Sequence, residues 1–459
     1  MSITGLKKRI EKLKASEMFK NIMRISSGTL IGQVLSVVLI PVITRIYGDA
    51  AIGVWAFLNT IITIVCSFSD LGLRDALMVE EDEASLRQTY KVATTSTLVA
   101  AILSGVLAFL FFEVISPGGM TLTPILAAIF VCAGVIMTQQ TQISYTWLNR
   151  DGKYKILMKN PIVNAGFFGI LAITFGLAGM GLYGYLLAWA LAQLITLLHM
   201  RRYLPDSFVS FKFSDFREVC SRNRRYVMYQ LPANIVMRFK GQLPALLIGS
   251  LFGASILGQY SITVRVTEMP VTLLGTSIGR VFFQKSSELK REGKPIGELN
   301  YKLLTNAMKI ALVPVVLLAV FGDIVFTWVL GAEWQMAGNM VRILALQSFF
   351  TFLMMSSQGL SMTLNKQHYS VVSGVVQSVF IIIALYFGRH YFDNIYIAIA
   401  IISVSFIINQ IVLHCLRFRV MGMPIKKLLI RISIYLFIML VGYIVLRFTL
   451  YYLGVVNTM

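Results

Sequence analysis

The chain has 459 residues, of which 57% are hydrophobic and only 14% charged, and Lys and Arg outnumber Asp and Glu by 41 to 21. Apolar residues fall in repeated runs of about twenty, the length a helix needs to cross hydrocarbon; this excludes a soluble enzyme and defines an all-α polytopic membrane protein. The formal charge of +20 does not indicate a nucleic-acid partner, because the cations are apportioned by connecting segment as the positive-inside rule requires.

Residues 1–25 are basic, with Leu6, Ile10 and Leu13 at helical spacing among Lys7, Lys8, Lys12 and Lys14, so an amphipathic helix lying on the inner surface is expected. No short apolar core ending in small residues marks a cleaved signal. Thirteen spans follow, near 26–46, 52–72, 92–112, 122–145, 160–178, 180–200, 227–251, 257–279, 303–330, 339–363, 369–388, 393–415 and 428–450. With the N-terminus cytoplasmic, the cytoplasmic segments carry 34 of the 41 cations. Arg45, Arg238, Lys240, Arg265, Arg342, Arg389 and Arg447 lie in spans or at the opposite face, where topology does not account for them.

The first span holds Gln33, Pro41 and the small-residue step Gly28 to Gly32, which permits close helix contact. The second holds Asn59 and ends at Asp70, Arg74 and Asp75, which could gate the cytoplasmic mouth, although a solvated ion network is the commoner use of such a cluster. "GMGLYG", residues 179–184, has the letters of a dinucleotide fingerprint without its strand and helix, and reads as a tight turn between spans. The linker 201–226 is basic and too short for a catalytic domain, and the four histidines lack metal-ligand spacing. No enzyme chemistry, metal or cofactor is expected. The four cysteines fall in spans or a cytoplasmic loop and suggest no disulfide.

The seventh span, "ANIVMRFKGQLPALLIGSLFG" (233–253), is different in kind. Arg238 lies about 11 residues into it, roughly 17 Å deep and near the middle of a core about 30 Å thick, with Lys240 just beyond. Arg265 in the eighth span falls at a similar level, and Glu268, three residues on, shares its face and could pair with it. Charges at this depth cost several kcal/mol and normally face protein or a watery cavity. Arg238, Lys240 and Arg265 are therefore expected to bind an anionic group in a cavity, with Glu268 tuning or relaying charge. The competing reading is a structural Arg265–Glu268 pair, which leaves a positive excess unbalanced. Guanidinium groups suit phosphate oxygens because they donate two parallel hydrogen bonds.

Gly241 and Pro244 weaken the same helix, and with Pro41 and Pro270 they are candidate hinges, although static kinks that improve packing are an equal alternative. Gln33, Asn59, Gln139, Gln140, Gln142, Tyr145, Asn234, Gln242 and Gln358 are candidate sugar contacts, or simply polar joints between helices.

The two halves look related. "QISYTWLNR" (142–150) matches "QGLSMTLNK" (358–366), and "IYGDAAIGVW" (46–55) matches "LFGASILGQY" (251–260), with Gly48 and Gly53 answering Gly253 and Gly258. Six spans per half imply two lobes running in the same direction as a parallel pseudo-repeat about a central cavity. The expected organisation is a surface helix (1–25), an N-lobe (26–200), a linker (201–226), a C-lobe (227–416), and a basic loop with an additional C-terminal span (417–459).

"RISSGTLIGQVLSVVLIPVITRIYGDAAIGVWAF" (24–57), the acidic "LMVEEDEASLRQ" (77–88) and "VLGAEWQMAGNMVRILALQSFFTFLMMSSQGLSMTLNKQHY" (329–369) resemble the polysaccharide-export branch of the multidrug/oligosaccharidyl-lipid/polysaccharide (MOP) superfamily, in particular Wzx-type O-antigen flippases. The most specific parts are Arg45-Ile-Tyr-Gly48 with Gly53, and the Gly331-x-x-Trp334 turn leading to Arg342-Ile-Leu. The resemblance implies a two-lobed alternating-access carrier in a bacterial cytoplasmic (inner) membrane that moves undecaprenyl-diphosphate-linked oligosaccharide to the outer leaflet. It further implies coupling to an H+ or Na+ gradient or the membrane potential, and a polymerase and chain-length regulator of the same pathway as partners. A drug/cation antiporter on the same scaffold is the alternative, and a membrane polysaccharide polymerase or glycosyltransferase a more distant one that short outer loops disfavour.

Overall fold

The structure, a computed structural model, describes residues 3–204 and 212–455, with side chains from residue 24 onward except that of residue 115. The middle of the expected basic linker and the amphipathic face of the N-terminal segment therefore lie outside the described side chains.

Every regular element among the described residues is helical, as hydrocarbon demands of a backbone that must satisfy its own hydrogen bonds. α1 (Ile3–Cys66) contains the first two spans, separated at Gly48, whose φ of 68° and ψ of 178° leave the helical path. A turn with Leu71 and Gly72 at positive φ leads into the single turn α2 (Leu73–Ala76). α3 (Glu83–Leu110) starts at Asp82, whose carboxylate accepts the Ser85 N–H at 2.9 Å, and is followed by the short α4 (Phe112–Ile115). α5 (Pro124–Arg150), α6 (Tyr154–Leu177) and α7 (Gly181–Arg201) are single spans, and α8 (Phe213–Arg222) is a short connector. A π-turn at Tyr226–Gln230 opens α9 (Leu231–Phe252). α10 (Ala254–Arg291) and α11 (Gly297–Leu330) are long, and a 3-10 turn leads to α12 (Gln335–Ser356). The one-turn α13 (Leu360–Thr363), then α14 (Gln367–His390), α15 (Ile395–Val420) and α16 (Ile425–Tyr452), complete the chain.

Eleven of the described helices are long and apolar enough to cross a membrane, making this a multi-pass membrane protein. α1 supplies two of the expected spans, and the eighth is α10, where charges dilute the apolar run. Three expectations change in detail. The basic N-terminal segment is helical but continuous with the first span, since no proline separates the two and the first departure from helical backbone comes at Gly48. α10 extends well past 279, because hydropathy registers only the apolar part of a helix that continues through charged residues. The expected span 339–363 ends at Ser356, where Gly359, with φ of 85°, starts the separate α13.

The chain forms two compact units, Met1–Gln242 and Leu243–Met459. In the first, glycines carry the α1–α6 contact: a Cβ on Gly28 would sit 2.0 Å from the Met158 carbonyl oxygen, and one on Gly32 2.8 Å from that of Pro161. α3 shows how such a unit is packed for lipid. Its buried face is small and polar (Thr94, Thr95, Ser96, Thr97, Ser104, Gly105), while Ile102, Leu103, Val106, Leu107 and Leu110 are exposed. Small residues and interhelical fit, not apolar burial, hold helices together where the surroundings are already apolar. In the second unit, α16 packs into the core made by α11, α12 and α15, where Leu428, Ile432, Tyr435 and Met439 join Met308, Phe349 and Phe418.

The halves repeat in backbone as well as in letters. Gly253, before α10, has φ of 93° and ψ of 175°, close to the conformation of Gly48 at the matching joint. The second sequence match shifts in register: the left-handed residue is Gly152 after α5 but Asn365 after α13, and Asn149, paired with Asn365 by letters, lies inside α5.

Gly28→Ala should destabilise the purified protein by about 1–3 kcal/mol, because backbone cannot yield as a side chain can. Gly241→Ala, with nothing within 4 Å of the added carbon, should not lower the melting temperature. Thermal unfolding in detergent, read on both variants, checks the pair.

Candidate functional site

The left-handed turn at Leu71 and Gly72 sets the site. A Cβ on Gly72 would lie 3.2 Å from the Tyr226 carbonyl oxygen and 3.3 Å from Leu231 Cβ, so the start of α9 is seated directly on this turn. Val227 joins the same apolar cluster as Leu73, Leu77 and Tyr90. This seating places Asn234 and Arg238, four residues apart and hence on one helix face, at a polar cavity. Asp70 and Arg74 come from the turn and α2, Thr63, Cys66 and Ser67 from the end of α1, and Thr138, Gln139 and Gln142 from α5. Met237 completes the lining of a cavity of about 170 Å³, entirely within the first unit.

Its electrostatics are lopsided. Asp70 is 4% exposed, and its two oxygens accept the backbone N–H groups of Gly72 and Arg74, each at 3.2 Å. Arg74 Nη1 donates to Gln142 Oε1, and its Nε lies 3.6 Å from Asp75. Arg238 forms no ion pair among the described residues, so the lining holds two guanidinium groups against one carboxylate already engaged by the backbone. Gln139 is 1% exposed, yet among the described residues neither its amide nitrogen nor its oxygen is hydrogen-bonded, and Thr138 Oγ1 is likewise without a partner. Buried polar atoms are almost always satisfied, so these three mark the place of a hydrogen-bonding guest. The cavity can accept a small anionic group and hydrogen-bond it from several sides.

Other residues singled out in the sequence lie elsewhere. Lys240 follows Arg238 by two residues, about 200° around the helix, and does not line the cavity. Arg265 is half-buried and Glu268 exposed on α10 of the second unit, and no ion pair joins them among the described residues, so the structural pair weighed above is not formed. Gln33 keeps a buried oxygen without a partner, while Asn59, Gln242 and Gln358 are half-buried or exposed and do not line the cavity. Pro41, Pro244 and Pro270 lie inside helices, and α9 runs through Gly241 without interruption. Gln140 is a joint, donating to the Tyr90 hydroxyl at 2.6 Å. The Trp334 turn is also architectural: Gln259 donates to the Glu333 carbonyl at 2.8 Å and accepts the Ala337 N–H at 3.0 Å.

Sequence reading offered Gln139 as a polar candidate but missed Thr138 as a cavity residue and the true use of "LMVEEDEASLRQ". Glu80 of that stretch accepts from Asn223 Nδ2 at 2.9 Å, Thr89 Oγ1 at 2.9 Å and Arg222 Nε at 3.3 Å. It thereby ties the segment that leads into α9 to α3. Burial alone would raise the Glu80 carboxyl, but the Asn223 and Thr89 hydrogen bonds and the Arg222 guanidinium outweigh it and hold the group below the usual carboxylate range. An acidic residue ahead of a helix with a cation far downstream was the available signal, and it does not reveal that the two meet.

The fold and this polar site define a multi-pass helical membrane protein with a cationic cavity in its first unit. The structure aligns with that of the lipid II flippase MurJ in an inward closed conformation with a TM-score of 0.71, at 14% identity over 93% of this chain and 97% of that one. It aligns with an inward-facing multidrug resistance MATE family transporter of the MOP superfamily with a TM-score of 0.60, at 16% identity over 89% of this chain and 99% of that one. Residues 42–339 match the family described as Polysaccharide biosynthesis protein, and the chain belongs to that family. It is also 27% identical over 302 residues to the teichuronic acid biosynthesis protein TuaB of Bacillus subtilis (strain 168), a match covering 62% of this chain and 58% of that relative.

Glu80→Gln should cost about 1–2 kcal/mol at neutral pH, the scale of hydrogen bonds to a charged group that is partly buried. Because the folded carboxyl is held below its ordinary value of 4.5, its contribution is complete above that value and lost as pH falls through the lower folded value. Melting curves should therefore separate wild type from variant by a few degrees at pH 7 and converge at the most acidic pH the fold survives.

Proposed function

We propose that this protein carries a lipid-linked saccharide across the membrane, and specifically that it moves an undecaprenyl-diphosphate-linked oligosaccharide from the cytoplasmic to the outer leaflet by alternating access. The observation that supports this reading best is the first-unit cavity, where Arg74 and Arg238 face a space with one engaged carboxylate and three unpartnered polar atoms. A group with negative charge and several acceptor oxygens complements that lining, and a phosphate does so with two guanidinium forks in reach. At about 170 Å³ the cavity suits the phosphate end of such a molecule and not its sugars or tail. Family membership and the transporter fold agree with this reading.

A cationic drug would need a free carboxylate in the same place. Asp70 is the only one lining the cavity, and its oxygens already accept two backbone N–H groups, which argues against drug or cation antiport at this site. In this reading Arg238 and Arg74 bind phosphate, Gln142, Asn234 and Gln139 contribute hydrogen bonds, and Arg265 and Lys240 contribute positive field along the path. Energy comes from an H+ or Na+ gradient or the membrane potential. Gly241, which packs against nothing, lets α9 change shape between states.

Arg238→Glu should abolish surface polysaccharide in a complementation assay while the protein stays at wild-type level in the membrane fraction, and Arg238→Lys should retain part of it. Full polysaccharide with Arg238→Glu would rule out the role assigned to this residue. Gly241→Ala should slow export several-fold without loss of stability, which separates a hinge from a packing glycine.

A further inference from the structure

α16 stands outside the internal repeat, yet it contributes the most enclosed charge pair of the second unit. Arg447 is 2% exposed; its Nη1 donates to Asp323 Oδ1 at 3.1 Å and to the Val320 carbonyl at 2.9 Å, and its Nη2 donates to Asp323 Oδ2 at 2.7 Å. This fork-to-fork geometry is the strongest form of carboxylate pairing and by itself balances Asp323. A second guanidinium nevertheless reaches the same carboxylate. Arg342 of α12 donates to Asp323 Oδ2 at 3.3 Å and to the Tyr443 hydroxyl at 2.7 Å.

Two cations therefore share one anion, and the excess falls on Arg342, since Arg447 is sealed against Asp323. Arg342 lines a cavity of about 490 Å³ with Asn339, Tyr396 and Tyr443, and its Nε is buried without a partner among the described residues. Because the Tyr443 oxygen accepts from Arg342, its own proton is free to donate into the cavity. The Asn339 amide and the Tyr396 hydroxyl lie on the same walls. A positive charge with neutral donors around it, set in an apolar protein face, is the complement of a singly charged anion with several acceptor oxygens. Arg342 is seven residues after Gln335, about 10 Å along the helix from its start. That depth is within reach of the headgroup layer.

We infer that this cavity, completed by the additional span, binds a singly charged phosphodiester at the membrane surface opposite the basic loops. The phosphodiester belongs either to a glycerophospholipid headgroup or to a soluble phosphate ester. The site is separate from the first-unit cavity, and the inference does not depend on the cargo assigned there.

The test is native mass spectrometry of the purified full chain in a neutral detergent. It is titrated with short-chain phosphatidylglycerol, with glycerophosphoglycerol (the same headgroup without acyl chains) and with the matching uncharged diacylglycerol. One molecule of phosphatidylglycerol should bind and the diacylglycerol should not. Arg342→Gln should weaken phosphatidylglycerol binding at least about tenfold, the scale of one charge-assisted contact. The Asp323–Arg447 pair survives in that variant, so its melting temperature should stay within a few degrees of wild type, which a purely structural Arg342 would not allow. Binding of glycerophosphoglycerol at similar strength would identify a soluble ester as the ligand; binding of the lipid alone would identify a membrane phospholipid. Unchanged affinity in Arg342→Gln overturns the inference. Should that variant fail to fold, Asn339→Phe, which fills the cavity and leaves every ion pair in place, should give the same loss, and unchanged binding there is equally fatal.

Discussion

A charged side chain held in hydrocarbon costs several kcal/mol unless protein, water or a ligand balances it, and that penalty sorts the cations of this chain. Arg447 is balanced by a two-pronged pair with Asp323 and a backbone carbonyl, with only its Nε lacking a partner among the described residues, and it pins α16 to α11. Arg342 is half balanced, sharing the same carboxylate. Arg74 leans on Gln142 and on Asp75, while Arg238 has no ion pair among the described residues. The order runs from structural to functional as compensation falls, because a charge the protein leaves unmatched is one that a ligand can match.

The site depends on contacts made outside the span that carries its key residue. Arg238 reaches the cavity because α9 starts against the Gly72 turn, and the segment leading into it is tied to α3 through Glu80, Arg222, Asn223 and Thr89. A left-handed glycine and a buried carboxylate thus set the position of a cation several turns along the helix. The same turn orients Asp70, whose carboxylate closes hydrogen bonds to Gly72 and Arg74 and stiffens the wall opposite Arg238. Loop and cavity form one mechanical unit, so a change in the loop network moves the cavity wall.

The resemblance between the two halves is of two kinds. At Gly48 and Gly253 the backbone conformation itself is repeated, since a joint between consecutive helices with positive φ and extended ψ is open to glycine and strained for other residues. At the later joint the letters match but the left-handed position has moved, from Gly152 to Asn365, a residue type that tolerates this conformation. Where the backbone geometry requires glycine the two halves correspond, and where another residue can serve they differ. α16 is an addition to this plan, and the buried Arg447 pair is what fastens it.

The sequence by itself determined the class of protein and the order of its apolar helices, because burial in hydrocarbon acts on runs of residues and a run is visible in one dimension. It also exposed the doubling and the family, through motifs such as Arg45-Ile-Tyr-Gly48 and the Trp334 turn. Tertiary structure alone decided that Asp70 and Arg74 share a cavity with Arg238 and that Arg265 and Glu268 do not pair. It alone brought Arg447 to Asp323 and Glu80 to Asn223, partners more than a hundred residues distant in the chain. Hydropathy places a residue along the membrane normal, but which neighbour it meets depends on rotation about the helix axis and on packing between helices. Neither is written in any local stretch of residues.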